Sequence, residues 1–351
     1  MWRLEWNRAF VGAALMSAVC TSGAQAGTCT TLPAWTGGPP LAAAVYGPAS
    51  TSAGGYIYSA SGGTFPIGGT STLFRRYNPA SNVWEPLADV PIAVFGATLA
   101  HDAAGGRLFL FGGVGSVVLN QVQVYNIASN TWSTGTQLPL PRYGMAGGVI
   151  GGKIYLVGGI QSGTSVAQSQ NWEFDFATQT YTPKLSLPTA QARAGYAVAG
   201  GKLYVIAGHN DVGALVTTNY EYDPATNTWA TRTPIPAFAN QPGAVTLGAA
   251  TPECHGDIMI VSGGTPALGA KADSDPSRAP DSTPITWLYD VATDAWSMGP
   301  PLTTGRFALR AEQVGDIVIA FGGYDGVNTV ATVDRMQGFP LPVELQSFRV
   351  E

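Results

Sequence analysis

Three arginines occupy comparable surroundings in this sequence. Arg142, Arg193 and Arg306 each follow a proline-bearing connection and open an apolar stretch with the alternation of a strand. A guanidinium is planar and permanently charged, and it can hold a carboxylate through two parallel hydrogen bonds, so three of them converging would suit an anionic or polyhydroxylated ligand. A structural role competes with this one, in which each arginine is spent on backbone carbonyls or on a nearby carboxylate. His209-Asn210-Asp211 and Tyr324-Asp325 follow small-residue pairs and could address ligand hydroxyls. The other two histidines, His101 and His255, fall in the second and fifth of the repeats described below and are expected to be far apart in space, so they read as solvated turn residues and not as ligands of a shared metal. No nucleophile elbow, phosphate loop or zinc motif occurs, so neither metal nor cofactor is expected and the motifs favour binding over catalysis.

The elements that would position these residues repeat. Six times an apolar strand runs into a small-residue pair, at Gly62-Gly63, Gly112-Gly113, Gly158-Gly159, Ala207-Gly208, Gly263-Gly264 and Gly322-Gly323, about every 50 residues. After each of the first five comes an aromatic pair with constant spacing: Tyr77 and Trp84, Tyr125 and Trp132, Phe174 and Tyr181, Tyr222 and Trp229, Tyr289 and Trp296. Turn-forming stretches such as Asn78-Pro79-Ala80-Ser81-Asn82 separate the members of a pair. Each repeat therefore reads as four antiparallel strands, with the double glycine where the backbone approaches a crowded interior and large aromatics packing on the neighbouring repeat.

The double glycine, the Tyr and the Trp resemble the kelch repeat over about residues 33 to 337. The resemblance implies an all-β, six-bladed β-propeller with four antiparallel strands per blade. The sixth repeat lacks its Trp, and the missing piece stands at the other end of the chain: Trp35-Thr36-Gly37-Gly38-Pro39-Pro40-Leu41 matches Trp296-Ser297-Met298-Gly299-Pro300-Pro301-Leu302 in spacing. The N-terminal segment is expected to close the last blade by pairing near Val330 to Val333, which would remove an open strand edge. Loops between second and third strands should then share a face with the connections between blades. That face would carry Arg142, Arg193, Arg306, His209-Asn210-Asp211, Tyr324-Asp325 and the longest loop, about residues 265 to 283.

Composition agrees with many short strands and tight turns: 45 Gly and 25 Pro, with 11% charged residues against roughly 25% in an average soluble protein. A net charge of −5 favours neither nucleic acid nor an anionic membrane as partner. Arg3 and Arg8 precede an apolar run from Phe10 to Cys20, and Ala24-Gln25-Ala26 supplies small residues for cleavage, so residues 1–26 read as a signal peptide. That run is too short for a membrane span, and the protein is expected to be exported, periplasmic or extracellular. Residues 27–338 would form the propeller and residues 339–351 a C-terminal linker or tail. Cys29 and Cys254, the two cysteines beyond the signal, are expected to form one disulfide, two free thiols being the alternative.

Two functions follow from these features. The first is a non-catalytic, exported binding module for a glycan or a protein ligand. The second is an N-acetylneuraminate mutarotase-like enzyme, because the sialic-acid mutarotases are six-bladed kelch propellers of similar size with a signal peptide, and an arginine-lined mouth suits a carboxylated sugar. Copper galactose oxidases are also kelch propellers, but three scattered His and two distant Cys do not supply their ligand set.

Overall fold

The computed structural model describes residues 32–64, 69–162, 166–239, 241–247, 258–263 and 282–338, with the backbone alone for 258–262. The expected signal peptide, Cys29, Cys254, His255, most of the 265–283 loop and the tail lie outside the described residues.

The described residues form six four-stranded antiparallel sheets. The third is representative: Ala146–Ile150, Lys153–Val157, Asn171–Asp175 and Thr180–Lys184 lie side by side in chain order, from the axis outward. Strands this short, rich in β-branched and aromatic residues, pair through the turns that the sequence supplies. At Gly151-Gly152 both residues have positive φ (59° and 76°), the I′ geometry whose twist matches the two strands that it joins.

The first strands of consecutive sheets touch each other in a closed cycle: Ala49–Ala53, Thr98–Asp102, Ala146–Ile150, Gly195–Ala199, Gly243–Leu247, Arg310–Val314 and back to Ala49–Ala53. The molecule is thus an all-β propeller with the first strands around its axis. In the sixth sheet the outermost strand is Thr36–Gly37, which pairs with Val333–Gln337 in the register Thr36↔Arg335 and Gly37↔Asp334. Gly38 N–H then donates to Val333 C=O, and Leu41 N–H to Ala331 C=O. Trp35 is buried between the fifth and sixth sheets with Leu288, Leu302, Leu309 and Met336.

The outer hairpins fasten neighbouring sheets together. Tyr222 Oη donates to Asn227 Oδ1 (2.8 Å) within one hairpin, Leu185 N–H donates to the same oxygen from the preceding sheet, and Trp229 Nε1 donates to Leu185 C=O. The same clasp recurs with Tyr125, Asn130 and Trp132 on Ala88, and with Tyr289, Asp294 and Trp296 on Thr233. Asn82, Asn130, Gln179, Asn227 and Asp294 all have φ between 50° and 55°, so a fixed left-handed turn explains the constant spacing of the aromatic pairs. No helix among the described residues is long and apolar enough to cross a membrane.

Candidate functional site

One residue from each connection entering a sheet meets the axis: Gly47, Gly96, Gly144, Arg193, Gln241 and Ala308. The N–H of each donates to the carbonyl of the one before, from Gly96 to Gly47 (3.0 Å), Gly144 to Gly96 (2.7 Å), Arg193 to Gly144 (2.8 Å), Gln241 to Arg193 (3.1 Å) and Ala308 to Gln241 (3.0 Å). Gly47 N–H closes the ring on Ala308 C=O at 2.7 Å. All six residues are left-handed, with φ from 51° to 64°. A closed ring of head-to-tail amides satisfies every one of these inward-facing polar groups without water.

The ring has a bare side and a furnished side. Gly47, Gly96 and Gly144 bring no side chain, and the side chains of Arg193 and Gln241 lie over the space that they leave. A Cβ on Gly144 would meet Arg193 Cγ at 3.0 Å, and one on Gly47 would stand 3.9 Å from Gln241 Oε1, which reaches there from the fifth sheet. The Arg193 guanidinium sits 5.4 Å from the ring centroid of Tyr143 and donates to its hydroxyl at 3.3 Å. The residues one before the ring are mostly aromatic and half-buried: Tyr46 and Phe95 are 5.2 Å apart, Phe95 and Tyr143 6.0 Å. Phe95, Tyr143, Arg193, Gln241 and Arg310 line a small cavity at the axis around the glycines.

Deeper along the axis the first strands supply more polar groups. Arg310 donates from Nε to Pro48 C=O (2.9 Å), and its guanidinium lies 5.7 Å from the centroid of Tyr196. Those two residues belong to the sixth and fourth sheets, so their contact passes in front of the fifth. Below them Glu312 accepts hydrogen bonds from Ser50 Oγ (2.7 Å) and Ser52 Oγ (3.1 Å). Burial pushes the Glu312 carboxyl above the usual carboxylate range, against the two serines and Arg310, which pull it down. Burial likewise raises the Tyr196 phenol.

The three arginines of the sequence reading do not converge. Arg193 is a ring residue, whereas Arg142 and Arg306 stand two positions before the ring, where the fourth sheet has Gln191. All three residues at that earlier position turn inward. Arg142 is buried and donates to Gly158 C=O (2.9 Å) and Gln170 Oε1 (2.8 Å), and burial depresses its guanidinium to about 10. Arg306 is wholly buried, ion-paired to the equally buried Asp334 and bonded to Ala320 C=O; burial lowers its pKa while Asp334 acts in the opposite sense. Gln191 donates to Ala207 C=O in the same manner.

The remaining expected site residues flank the ring. His209 and Tyr324 pair by backbone with Ala192 and Phe307, each one residue before the ring, and both side chains are buried. Asn210 Oδ1 accepts from Val212 N–H and Ala214 N–H, and Asp325 Oδ1 from Val327 N–H and Asn328 N–H, so the amide oxygen and the carboxylate oxygen each order their own loop. Asp211 is exposed next to them. Among the described residues no group of three His, Cys, Asp or Glu is placed to hold a metal ion. Sequence reasoning missed Gln241, Arg310, Tyr143 and Glu312; aligning the repeats on Gly47, Gly96 and Gly144 would have brought out the first of these.

Comparison with known proteins places this geometry. The model of the KLHDC2/KLHL20/DRC7 Kelch-repeats domain matches residues 47–264. Kelch-like protein 38 of Rattus norvegicus is 35% identical over 134 residues, 36% of this chain and 21% of that protein. Kelch-like protein 23 of Homo sapiens is 33% identical over 131 residues, 36% of this chain and 22% of that one. The chain thus spans about a fifth of the length of these curated relatives. The solved structure of YjhT superposes with a TM-score of 0.70 at 18% identity, covering 84% of this chain and 95% of that one, a likeness of fold. With the repeats, the sheets and a family model that matches more than half of its length, the chain belongs to the kelch-repeat family of β-propellers.

Proposed function

We propose that this protein is an exported, non-catalytic binding module that takes a carboxylated glycan at the axial mouth. The observation that carries the reading is the cavity itself, where two guanidinium groups, an amide and two aromatic rings surround a floor of three glycines. Aromatic faces suit the apolar side of a pyranose, Arg193 and Arg310 suit a carboxylate, and Gln241 can both donate to and accept from hydroxyls. Export rests on the N-terminal sequence, with its basic residues, apolar run and Ala24-Gln25-Ala26. The six sheets, with Thr36–Gly37 on Val333–Gln337, support taking the scaffold as a six-bladed propeller closed by its N-terminal strand.

A glycan array that includes sialylated and uronic-acid sugars tests the reading, and the outcome expected is binding confined to acidic glycans. Arg310→Ala should weaken that binding by about tenfold or more, the loss of one charge-assisted contact. Binding that is absent from every glycan, with a protein ligand captured at the same mouth, would replace the glycan by a protein segment.

A mutarotase-like activity on a sugar acid is the second reading, and Glu312 favours it. Anomer exchange needs an acid and a base at the ring oxygen and the anomeric hydroxyl, and a carboxyl with a raised pKa beside Arg310 and Tyr196 supplies a group able to do either. Proton NMR of anomer exchange in N-acetylneuraminate, with and without the protein, separates this reading from binding alone.

A further inference from the structure

We infer that Arg193 and Gln241 are specificity-determining residues kept at ring positions whose backbone favours glycine, so that the scaffold carries strain for the sake of two ligand-facing side chains. The inference rests on the binding reading above and names the residues that would carry its specificity.

The ring makes one conformational demand six times. Each member needs a left-handed backbone to pass its amide on to the next, and a Cβ is disfavoured in that region. Three positions answer with glycine, and three do not: Arg193, Gln241 and Ala308 have φ of 53°, 51° and 53°. Glycine would serve the backbone at all three. Ala308 is fully buried and forms no part of the cavity lining, whereas Arg193 and Gln241 are half-buried and line the cavity. Their long side chains occupy the space over Gly144 and Gly47, so the distribution of glycines around the ring is matched to what projects from its other side. Arg193 is further oriented by the ring and the hydroxyl of Tyr143, which holds the guanidinium at the mouth before any ligand arrives. Polar side chains held at a strained position over a cavity are the arrangement expected where function sets the residue.

The experiment compares Arg193→Gly, Gln241→Gly and Ala308→Gly with Arg193→Ala and Gln241→Ala, measuring the melting temperature and calorimetric binding of N-acetylneuraminate and D-glucuronate, with D-galactose as a neutral control. Arg193→Gly and Gln241→Gly should melt no lower than the parent and above their alanine counterparts, and should lose at least tenfold in affinity for the acidic sugar that the parent binds. Ala308→Gly should melt no lower than the parent and bind as the parent does. If the two glycine variants melt below the parent by as much as the alanine variants, the side chains serve the scaffold and the inference is overturned. Unchanged binding in both glycine variants, with the parent binding normally, overturns it while leaving the glycan reading intact. A parent that binds neither acidic sugar overturns both.

Discussion

Two kinds of partly buried glutamate show how the protein handles charge at the level of single residues. Glu173 is held by Lys153 (2.7 Å), Lys184 (2.9 Å) and Tyr155 Oη (2.9 Å), and Glu221 by Lys202 (2.7 Å), Arg232 (2.8 Å) and Tyr204 Oη (2.6 Å). Burial pushes both carboxyls up, and these hydrogen bonds and charges outweigh it, so both end below the usual range. A carboxylate depressed on folding contributes stability above its unfolded pKa and loses it as the pH falls through the folded value. Glu221→Gln is therefore expected to cost about 2–3 kcal/mol at pH 7 and progressively less in acid. Glu312 is the reverse case, because its pKa is raised on folding. Its contribution is present below the unfolded pKa and is lost as the pH rises through the folded value, so Glu312→Gln should raise the melting temperature at pH 8 and leave it unchanged at pH 4. Thermal melts of both variants from pH 3 to 8 check the two opposite slopes. Arg306→Ala would strand a wholly buried Asp334 and should cost about 3–5 kcal/mol, measured by denaturant unfolding.

Among the elements, the outer hairpin carries the most regular device. Its Tyr, its left-handed Asn or Asp and its Trp fasten one sheet to the one before, so the aromatic pair works as a joint between repeats as well as a filler. In the third sheet Phe174, Gln179 and Tyr181 replace the usual residues, and Tyr181 Oη still donates to Thr136 C=O of the preceding sheet. The joint tolerates a change of side chain because what it requires is a donor at the hairpin's end and a left-handed turn. Asn227→Ala removes one acceptor from two donors and puts a Cβ-bearing residue with no local hydrogen bond at φ 53°, with an expected loss of about 2 kcal/mol. Asn227→Gly, which keeps the turn and loses only the acceptor, should cost less. Urea unfolding of the two variants separates the backbone from the hydrogen bonds.

At the scale of the molecule, the ring of six amides joins the sheets at the axis, and the strand Thr36–Gly37 pairs with Val333–Gln337 at the outer edge of the sixth sheet. The outer closure depends on ten or so residues: Trp35 fills the gap between the fifth and sixth sheets, and Leu41 and Val45 pack between the sixth and the first. Removing residues 32–41 would leave a strand edge on Val333–Gln337 and a Trp-sized void, and is expected to lower stability by about 3–5 kcal/mol or more. Differential scanning calorimetry of the truncated protein checks this, an unchanged melting temperature being the contrary result. Because each clasp reaches the preceding sheet and the last sheet borrows its outer strand from the first residues, the transition should also broaden on truncation.

The amino-acid sequence by itself determined the features that are local. The strands, the double glycines, turns such as Asn78-Pro79-Ala80-Ser81-Asn82 and the constant Tyr-to-Trp interval were legible because each is fixed by a handful of adjacent residues whose backbone preferences do not depend on the rest of the chain. The kelch resemblance was legible for the same reason, repeated. The arginines were misaligned because the connections that precede the first strands vary in length and sequence, from Pro141-Arg142-Tyr143-Gly144 to Pro188-Thr189-Ala190-Gln191-Ala192-Arg193. Their common register is set by amides that bond around the axis to ring residues of the neighbouring sheets, far away in sequence, and no local preference records it. Tertiary structure alone decided that Arg142 and Arg306 turn inward to carbonyls and a carboxylate, that Arg193, Gln241 and Arg310 reach the cavity, and that Tyr196 meets Arg310 from two sheets away. Whether a polar side chain meets solvent or its own scaffold is decided by which strands close around it, and closure is a property of the whole ring.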